Sequence, residues 1–135
     1  MTSPLDTPER RALPATVDAF VSREVRPHIE RWVEVGELPR ELHLRAAEVG
    51  LLGIGFADDV GGSGGDAWDS LVVTEQIMLS GGAGGLVASL LTHGIALPHI
   101  VAAGSPDQID RFVRPVLAGQ AIAALAVTEP DGGSD

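Results

Sequence analysis

The stretch SPDQIDRFVRPVLAG, residues 105–119, predicts the kind of fold that this chain adopts. Ser105 followed by Pro106, with Gln108 three positions after the serine, is typical of a helix N-terminus, because the two polar side chains satisfy backbone N–H groups of the first turn. Four apolar residues then recur at the spacing of one helical face: Ile109, Phe112, Val113 and Val116. Gly119 is typical of a helix end. The stretch therefore predicts an amphipathic helix.

The residues before this helix repeat the same signals. A helix beginning near Pro8 carries five apolar residues on one face: Leu13, Val17, Phe20, Val21 and Val25. Pro27 interrupts this helix, because proline removes a backbone donor. Further helices are predicted over residues 39–49, 67–79 and 86–92. A continuation of the last one towards residue 103 is open, with a kink or a fresh start at Pro98. The pattern indicates an all-α chain, a bundle of about five helices.

The predicted helix over residues 67–79 carries an apolar stripe with one carboxylate inside it. The apolar members are Trp68, Leu71, Val72, Met78 and Leu79, and Glu75 lies among them. We expect this stripe to face the core, which requires the buried carboxylate to be paired or protonated. A structural ion pair and a general-base role are both open, although the sequence shows no second group for catalysis.

Residues 121–128, AIAALAVT, follow the helix at 105–119 and are typical of a short apolar strand. A single strand leaves its backbone groups unpaired, so we expect a longer chain or a partner to supply its neighbours. Residues 1–120 are accordingly interpreted as a helical domain and residues 121–135 as the start of an incomplete β-domain. The adjacent Gly132 and Gly133 let the backbone approach a planar ligand or a phosphate closely. A ligand-binding turn and a plain polar turn are both open.

The composition excludes several kinds of chemistry. The 135 residues include no cysteine and no lysine, which excludes a thiolate nucleophile, a disulfide and a lysine Schiff base. The net charge of −10 opposes binding to nucleic acid and to an anionic membrane surface. No uninterrupted apolar segment approaches the roughly 18 residues of a membrane span, and no targeting segment is visible. We therefore expect a cytoplasmic protein without a membrane span.

The patterns for nucleotide and metal sites are incomplete. Gly62 and Gly64 fit part of a dinucleotide-binding pattern, but no strand precedes them, which favours a flexible turn. The three acids of the same loop do not follow a calcium-loop pattern, and the four histidines do not have the spacing of a zinc site. No metal ion is expected. His93, beside Gly94 on an apolar helix, is interpreted as a packing residue.

Residues 126–135, AVTEPDGGSD, resemble the first signature of the acyl-CoA dehydrogenase family. Further landmarks of that family occur in the same order along the chain: Glu24–Pro27, Glu37–Pro39, Glu48–Ile54, Gly61–Gly65, Thr74–Glu75, Leu97–Ile100 and Ala103–Gln108. In the family, this part of the sequence is an N-terminal α-helical domain, and the signature opens a middle β-domain. The resemblance therefore implies the same organisation here.

The resemblance also implies a cofactor and a substrate class. Members of the family are oxidoreductases of fatty acid metabolism that bind FAD and oxidise acyl-CoA thioesters. By resemblance, Leu125, Val127 and Thr128 would contact the flavin through backbone groups and the threonine hydroxyl. Gly133 and Ser134 would complete that turn, with Ser134 also near the acyl-CoA.

The family's fourth helix helps to line its acyl pocket. By resemblance, that role would fall to Val87, Leu90 and Leu91, whose apolar side chains suit an aliphatic chain. The family's catalytic carboxylate lies in a C-terminal domain to which nothing here corresponds. No residue of this chain is therefore assigned as catalytic.

The resemblance predicts the N-terminal part of an FAD-dependent acyl-CoA dehydrogenase. As this fragment alone we expect it to be inactive, and in a full-length form we expect a homo-oligomer. Two alternatives stay open. One is a non-catalytic helical subunit that docks on a separate flavoprotein chain, and the other is a relative with oxidase or monooxygenase chemistry.

Overall fold

The computed structural model describes residues 7–133, and its regular structure is helical. The α-helices are α1 (Pro8–Phe20), α2 (Ile29–Val35), α3 (Glu41–Glu48), α4 (Ala67–Leu79), α5 (Gly84–Leu91), α6 (His93–Ala103), α7 (Pro106–Gln108) and α8 (Arg114–Leu117). Two π-helical turns extend these helices, Val21–Val25 after α1 and Ile109–Val113 between α7 and α8. Two 3-10 turns lie at Leu51–Gly53 and Asp58–Val60. The predicted all-α class is confirmed.

Local sequence signals account for where several helices begin. Thr7 caps α1, because its hydroxyl oxygen accepts from the backbone N–H of Arg10 at 3.1 Å. At the start of α7 the Ser105 and Gln108 side chains each accept from the other residue's backbone N–H, at 3.3 and 2.8 Å. The predicted break near Pro27 also occurs, between Val25 and Ile29.

Apolar side chains form two core clusters. The first core cluster lies among α1, α3, α4 and α5 and consists of Val17, Phe20, Val21, Val25, Leu42, Ala46, Leu51, Leu52, Val73, Ile77, Leu86 and Leu90. The second core cluster lies beneath α6 and α8 and consists of Phe56, Val60, Leu97, Val113, Val116 and Leu117. Complete burial of one such side chain stabilises a fold by roughly 1.5–3 kcal/mol, so these clusters determine how the helices pack.

A buried ion pair joins the N-terminal ends of α1 and α4. The Arg10 side chain is 6% exposed. Its Nε donates to Asp69 Oδ1 at 2.7 Å, and its Nη2 donates to Asp66 Oδ1 at 2.7 Å. The hydrogen bond from Arg10 lowers the pKa of Asp69, although burial opposes that effect. Asp66 also caps α4, so one arginine links the helix start to the packing of two helices.

The predicted orientation of α4 is wrong. Of the five apolar residues predicted to face the core, Val72 is half-buried and the other four are exposed. These four, Trp68, Leu71, Met78 and Leu79, are called the exposed α4 stripe below. Glu75 lies on the same side of the helix and is exposed as well. The core instead receives Val73 and Ile77 from the opposite side, where α1 packs. Both sides of α4 are apolar, and the packing of α1 determines which one is buried.

Two expectations near the C-terminus also need correction. Residues 121–128 do not form a strand, because the described part of the chain offers them no strand to pair with. Phe112, predicted on the buried face of its helix, is 43% exposed, with the Arg111 guanidinium 5.0 Å from its ring centroid. The π-helical turn at Ile109–Val113 changes the helical register at this point, so that Val113, Val116 and Leu117 face the core.

The expectation that no apolar segment approaches the length of a membrane span is also wrong. Gly84–Ala103, which contains α5 and α6, is 20 residues long and apolar enough to cross a membrane by length and composition. A core helix of a globular domain passes the same test. Leu86, Leu90, His93 and Leu97 of this segment are buried within the described chain, whereas most of its other residues are exposed or half-buried.

Candidate functional site

The predicted flavin-contacting segment leaves the helical bundle just after α8. Gly119 has a φ of +72° and turns the chain out of the helix. The backbone N–H groups of Gln120 and Ala121 then donate to Pro115 O at 2.8 and 3.1 Å. Ala121 and Ala123 pack against the second core cluster. Within residues 7–133, the segment is therefore attached to the bundle at its beginning.

Beyond these contacts the predicted cofactor residues are open to solvent. Leu125 is 47% exposed and Val127 is 74% exposed, and Thr128 and Gly133 are exposed as well. One turn hydrogen bond, from Gly132 N to Glu129 O at 3.1 Å, closes the polar loop. Ser134, predicted to contact both flavin and substrate, lies outside the described residues.

This segment offers hydrogen-bond donors without partners in the described part of the chain. No backbone N–H from residue 122 to residue 131 donates to another residue within 7–133. Thr128 adds a hydroxyl that can donate or accept. Unpaired amides and a hydroxyl are groups that can bind the polar edge of a planar heterocycle such as a flavin ring.

The three residues predicted for the acyl pocket occupy different environments on α5. Leu90 is 1% exposed and belongs to the first core cluster, and Val87 is half-buried against that cluster. Leu91 lines a cavity of about 170 Å³. The other residues that line this cavity are Leu51, Ile54, Phe56, Ser70, Val73, Thr74, His93 and Gly94. None of residues 125–133 lines the cavity, so the predicted acyl and flavin residues do not meet in one enclosed site.

His93 lies in the wall of this cavity, and its packing role is confirmed by its burial. It is 5% exposed, its Nε2 lies 2.8 Å from Leu52 O, and its ring stacks on Phe56 with centroids 5.9 Å apart. Burial lowers the pKa of His93, although hydrogen bonds to backbone carbonyls oppose this effect.

A second buried histidine was missed from the sequence. His43, on α3, is 5% exposed, with Nε2 3.4 Å from Ser89 O and no hydrogen-bond partner for Nδ1. Burial is the main cause that lowers the pKa of His43, and the positive charge of Arg40 lowers it further. The spacing of His43 to Ala46 on the same helix is the signal that could have placed it on the buried face.

The loop at residues 57–66, which carries three acids, has a structural role. Asp66 is committed to the cap of α4 and to Arg10. Within residues 7–133, no three histidine or carboxylate side chains come together as metal ligands.

Comparison with known proteins identifies the fold. The sequence model of the family described as "Acyl-CoA dehydrogenase, N-terminal domain" matches residues 7–120. The chain belongs to the acyl-CoA dehydrogenase family. That match covers α1 to α8, which is the whole helical bundle described above.

Relatives within the acyl-CoA dehydrogenase family include one named mammalian protein and two solved structures. The chain is 40% identical over 120 residues to a long-chain specific acyl-CoA dehydrogenase of pig (Sus scrofa), covering 89% of this chain and 27% of that protein. A probable acyl-CoA dehydrogenase from Mycobacterium abscessus superposes with a TM-score of 0.90 at 61% identity, over 96% of this chain and 34% of that one. A putative acyl-CoA dehydrogenase from Mycobacterium smegmatis superposes with a TM-score of 0.92 at 56% identity, over 98% of this chain and 35% of that one. The chain thus spans about a third of these relatives.

Proposed function

We propose that this chain is the N-terminal helical part of an FAD-dependent enzyme that oxidises an acyl-CoA thioester between its α and β carbons. The observation that carries the proposal is the match of residues 7–120 to the N-terminal domain of the acyl-CoA dehydrogenase family. The pig relative, named for long-chain acyl-CoA, supports an aliphatic substrate and a role in fatty acid metabolism.

The exposed segment at residues 125–133 is proposed to contact the flavin. Bound FAD would supply the acceptor for the hydride that leaves the substrate. Leu125, Val127 and Thr128 would offer backbone groups and one hydroxyl to the ring edge, and the turn at Gly133 and Ser134 would follow. Because Glu129 and Asp131 are negatively charged and exposed, this turn suits the uncharged ring better than the diphosphate of the cofactor.

The acyl chain is proposed to lie against α5. Leu91 already presents its side chain to an apolar cavity, and the half-buried Val87 and the buried Leu90 would support this wall from behind. None of the described residues is assigned to proton abstraction. Its contribution is to bind and orient cofactor and substrate, while the base would come from a part of the protein with no counterpart in this sequence.

The exposed α4 stripe supports a second candidate function. Trp68, Leu71, Met78 and Leu79 expose large apolar side chains on one side of α4, and exposed apolar surface of this kind is typical of a face that another protein unit covers. In the main proposal a further domain of the same protein, or another copy in a homo-oligomer, covers it. In the alternative, the chain is a non-catalytic subunit and a separate flavoprotein chain covers it.

Removal of the Thr128 hydroxyl tests the proposed site. We expect Thr128→Ala, made in the protein as its source produces it, to weaken FAD binding on the order of tenfold, the size of one lost hydrogen bond in a dry site. Thr16→Ala is the matched control, because Thr16 is an exposed threonine on α1 whose hydroxyl donates to Ala12 O within its own helix. Equal FAD dissociation constants for the two variants would contradict the assignment of Thr128.

A further inference from the structure

We infer that Gly119 and Arg40 are positioning residues, which fasten the start of residues 120–133 to α3 and so direct the segment proposed to hold the flavin. This inference rests on the proposed function and adds to it two residues outside the flavin-contacting turn. The two residues, together with Gln120, are called the α3 anchor below.

The contact between Gly119 and α3 leaves no room for a side chain. Gly119 is buried, and a Cβ added to it would overlap the carbonyl oxygen of His43 and lie 2.8 Å from Leu44 Cα. Its φ of +72° lies in the left-handed region that favours glycine. The chain therefore passes directly over the backbone of α3 as it leaves α8.

Gln120 is held from both sides immediately afterwards. Its backbone N–H donates to Pro115 O at 2.8 Å, which ties it to α8. Its carbonyl oxygen accepts from Arg40 Nη2 at 3.1 Å, which ties it to the residue that precedes α3. Two separate elements thus determine the position of one peptide unit.

The α3 anchor and the bond from the Ala121 N–H to Pro115 O are the last hydrogen-bonded links between the described bundle and the proposed flavin segment. Beyond Ala121 no backbone hydrogen bond within residues 7–133 joins the chain to the helices, and only Ala121 and Ala123 still pack on the second core cluster. Leu125 follows Gln120 by five residues, at most about 17 Å of extended chain. Because few other contacts fix this part of the chain, a displacement of Gln120 also displaces Leu125, Val127 and Thr128.

Two pairs of variants separate positioning from general structural effects. Gly119→Ala and Gly36→Ala both place a side chain at positive φ, +72° and +76°, but a Cβ at Gly36 meets nothing within 4 Å. Only the first of these variants should push the chain away from α3. Arg40→Ala removes the bond to Gln120, and Arg45→Ala removes an exposed arginine of α3 that pairs with Glu48. Arg40→Lys keeps a donor and should restore part of the effect.

Three measurements on the protein as its source produces it test the inference. They are hydrogen exchange at the Gln120 and Ala121 amides, the FAD dissociation constant, and the position of the visible flavin absorption band. We expect Arg40→Ala to speed exchange and to weaken FAD binding on the order of fivefold. Gly119→Ala should do both more strongly and shift the flavin band. Thermal stability of Arg40→Ala should match that of Arg45→Ala.

The inference is overturned if Arg40→Ala and Arg45→Ala give the same amide exchange and the same FAD affinity. If Gly119→Ala does not fold, the arginine pair still decides the question. A parent protein that carries no flavin would refute the proposed function instead. The exchange measurement alone would then show whether the α3 anchor holds the segment.

Discussion

His43 and His93 are both 5% exposed, and both line the narrow crevice beneath residues 121–123. Burial lowers the pKa of each, since a charged imidazolium loses its hydration there. His43 lowers the pKa of His93 further, because two imidazolium ions at this site would repel each other. At the scale of single residues, these two side chains link the stability of the bundle to pH.

The sign of that link follows from the direction of the pKa shifts. The unfolded histidines have a pKa near 6.5, and the folded ones lie below it. Just below pH 6.5 the unfolded chain therefore binds more protons than the folded chain. The contribution of these two histidines to the free energy of unfolding is therefore fully present above about pH 6.5 and is lost as the pH drops towards the folded-state pKa values.

We predict that His93→Gln removes part of this pH dependence. Glutamine keeps an N–H donor for Leu52 O but does not titrate. Thermal unfolding midpoints measured at about pH 7.5 and about pH 5 should differ less in this variant than in the parent protein. His99→Gln, at an exposed position of α6, is the control and should leave the difference unchanged. If the two unfolding midpoints differ as much in His93→Gln as in the parent protein, His93 is not a source of the pH dependence.

At the scale of elements, the buried Arg10 determines how α1 meets α4. It donates to two carboxylates at the start of α4, Asp66 and Asp69. We predict that Arg10→Met lowers the thermal midpoint at least twice as much as Arg45→Met, because it leaves Asp69 buried without its cation. The comparison uses Arg45 because its ion pair with Glu48 is exposed. Equal midpoints in the two variants would show that the Arg10 ion pair does not stabilise the contact between α1 and α4.

Local signals in the sequence predicted helix starts better than helix faces. Ser105 and Gln108 satisfy neighbouring backbone groups, so their pattern alone is enough to predict the start of α7. The face of α4 depends on a distant element, α1, and both Trp68 and Ile77 fit an apolar stripe. Sequence periodicity could not choose between them.

The candidate site was predictable only in part, for a related reason. The polar turn near Thr128 could be recognised as a motif from its residues alone. The strand predicted for residues 121–128 needs partner strands, and the described chain holds none for it. The buried His43 and the contact of Gly119 with α3 depend on tertiary packing, for which a single sequence carries little signal.

At the scale of the whole molecule, the helical bundle and the features at its surface have different roles. Its two core clusters account for the packing of the helices. The exposed α4 stripe and the open segment at residues 125–133 are not part of either core cluster. Both features fit the proposal that further protein packs against the bundle. The chain spans 27–35% of the length of the three similar proteins described above.

The visible absorption spectrum of the native protein, recorded without oxygen before and after addition of an acyl-CoA, tests the central claim most directly. An FAD-dependent acyl-CoA dehydrogenase should be yellow as isolated, and its flavin band should bleach when a suitable long-chain acyl-CoA is added, because the substrate reduces the flavin. An intact mass measured on the same sample shows the length of the chain that carries the flavin. A colourless protein, or a flavin that a range of acyl-CoA chain lengths leaves oxidised, would contradict the account.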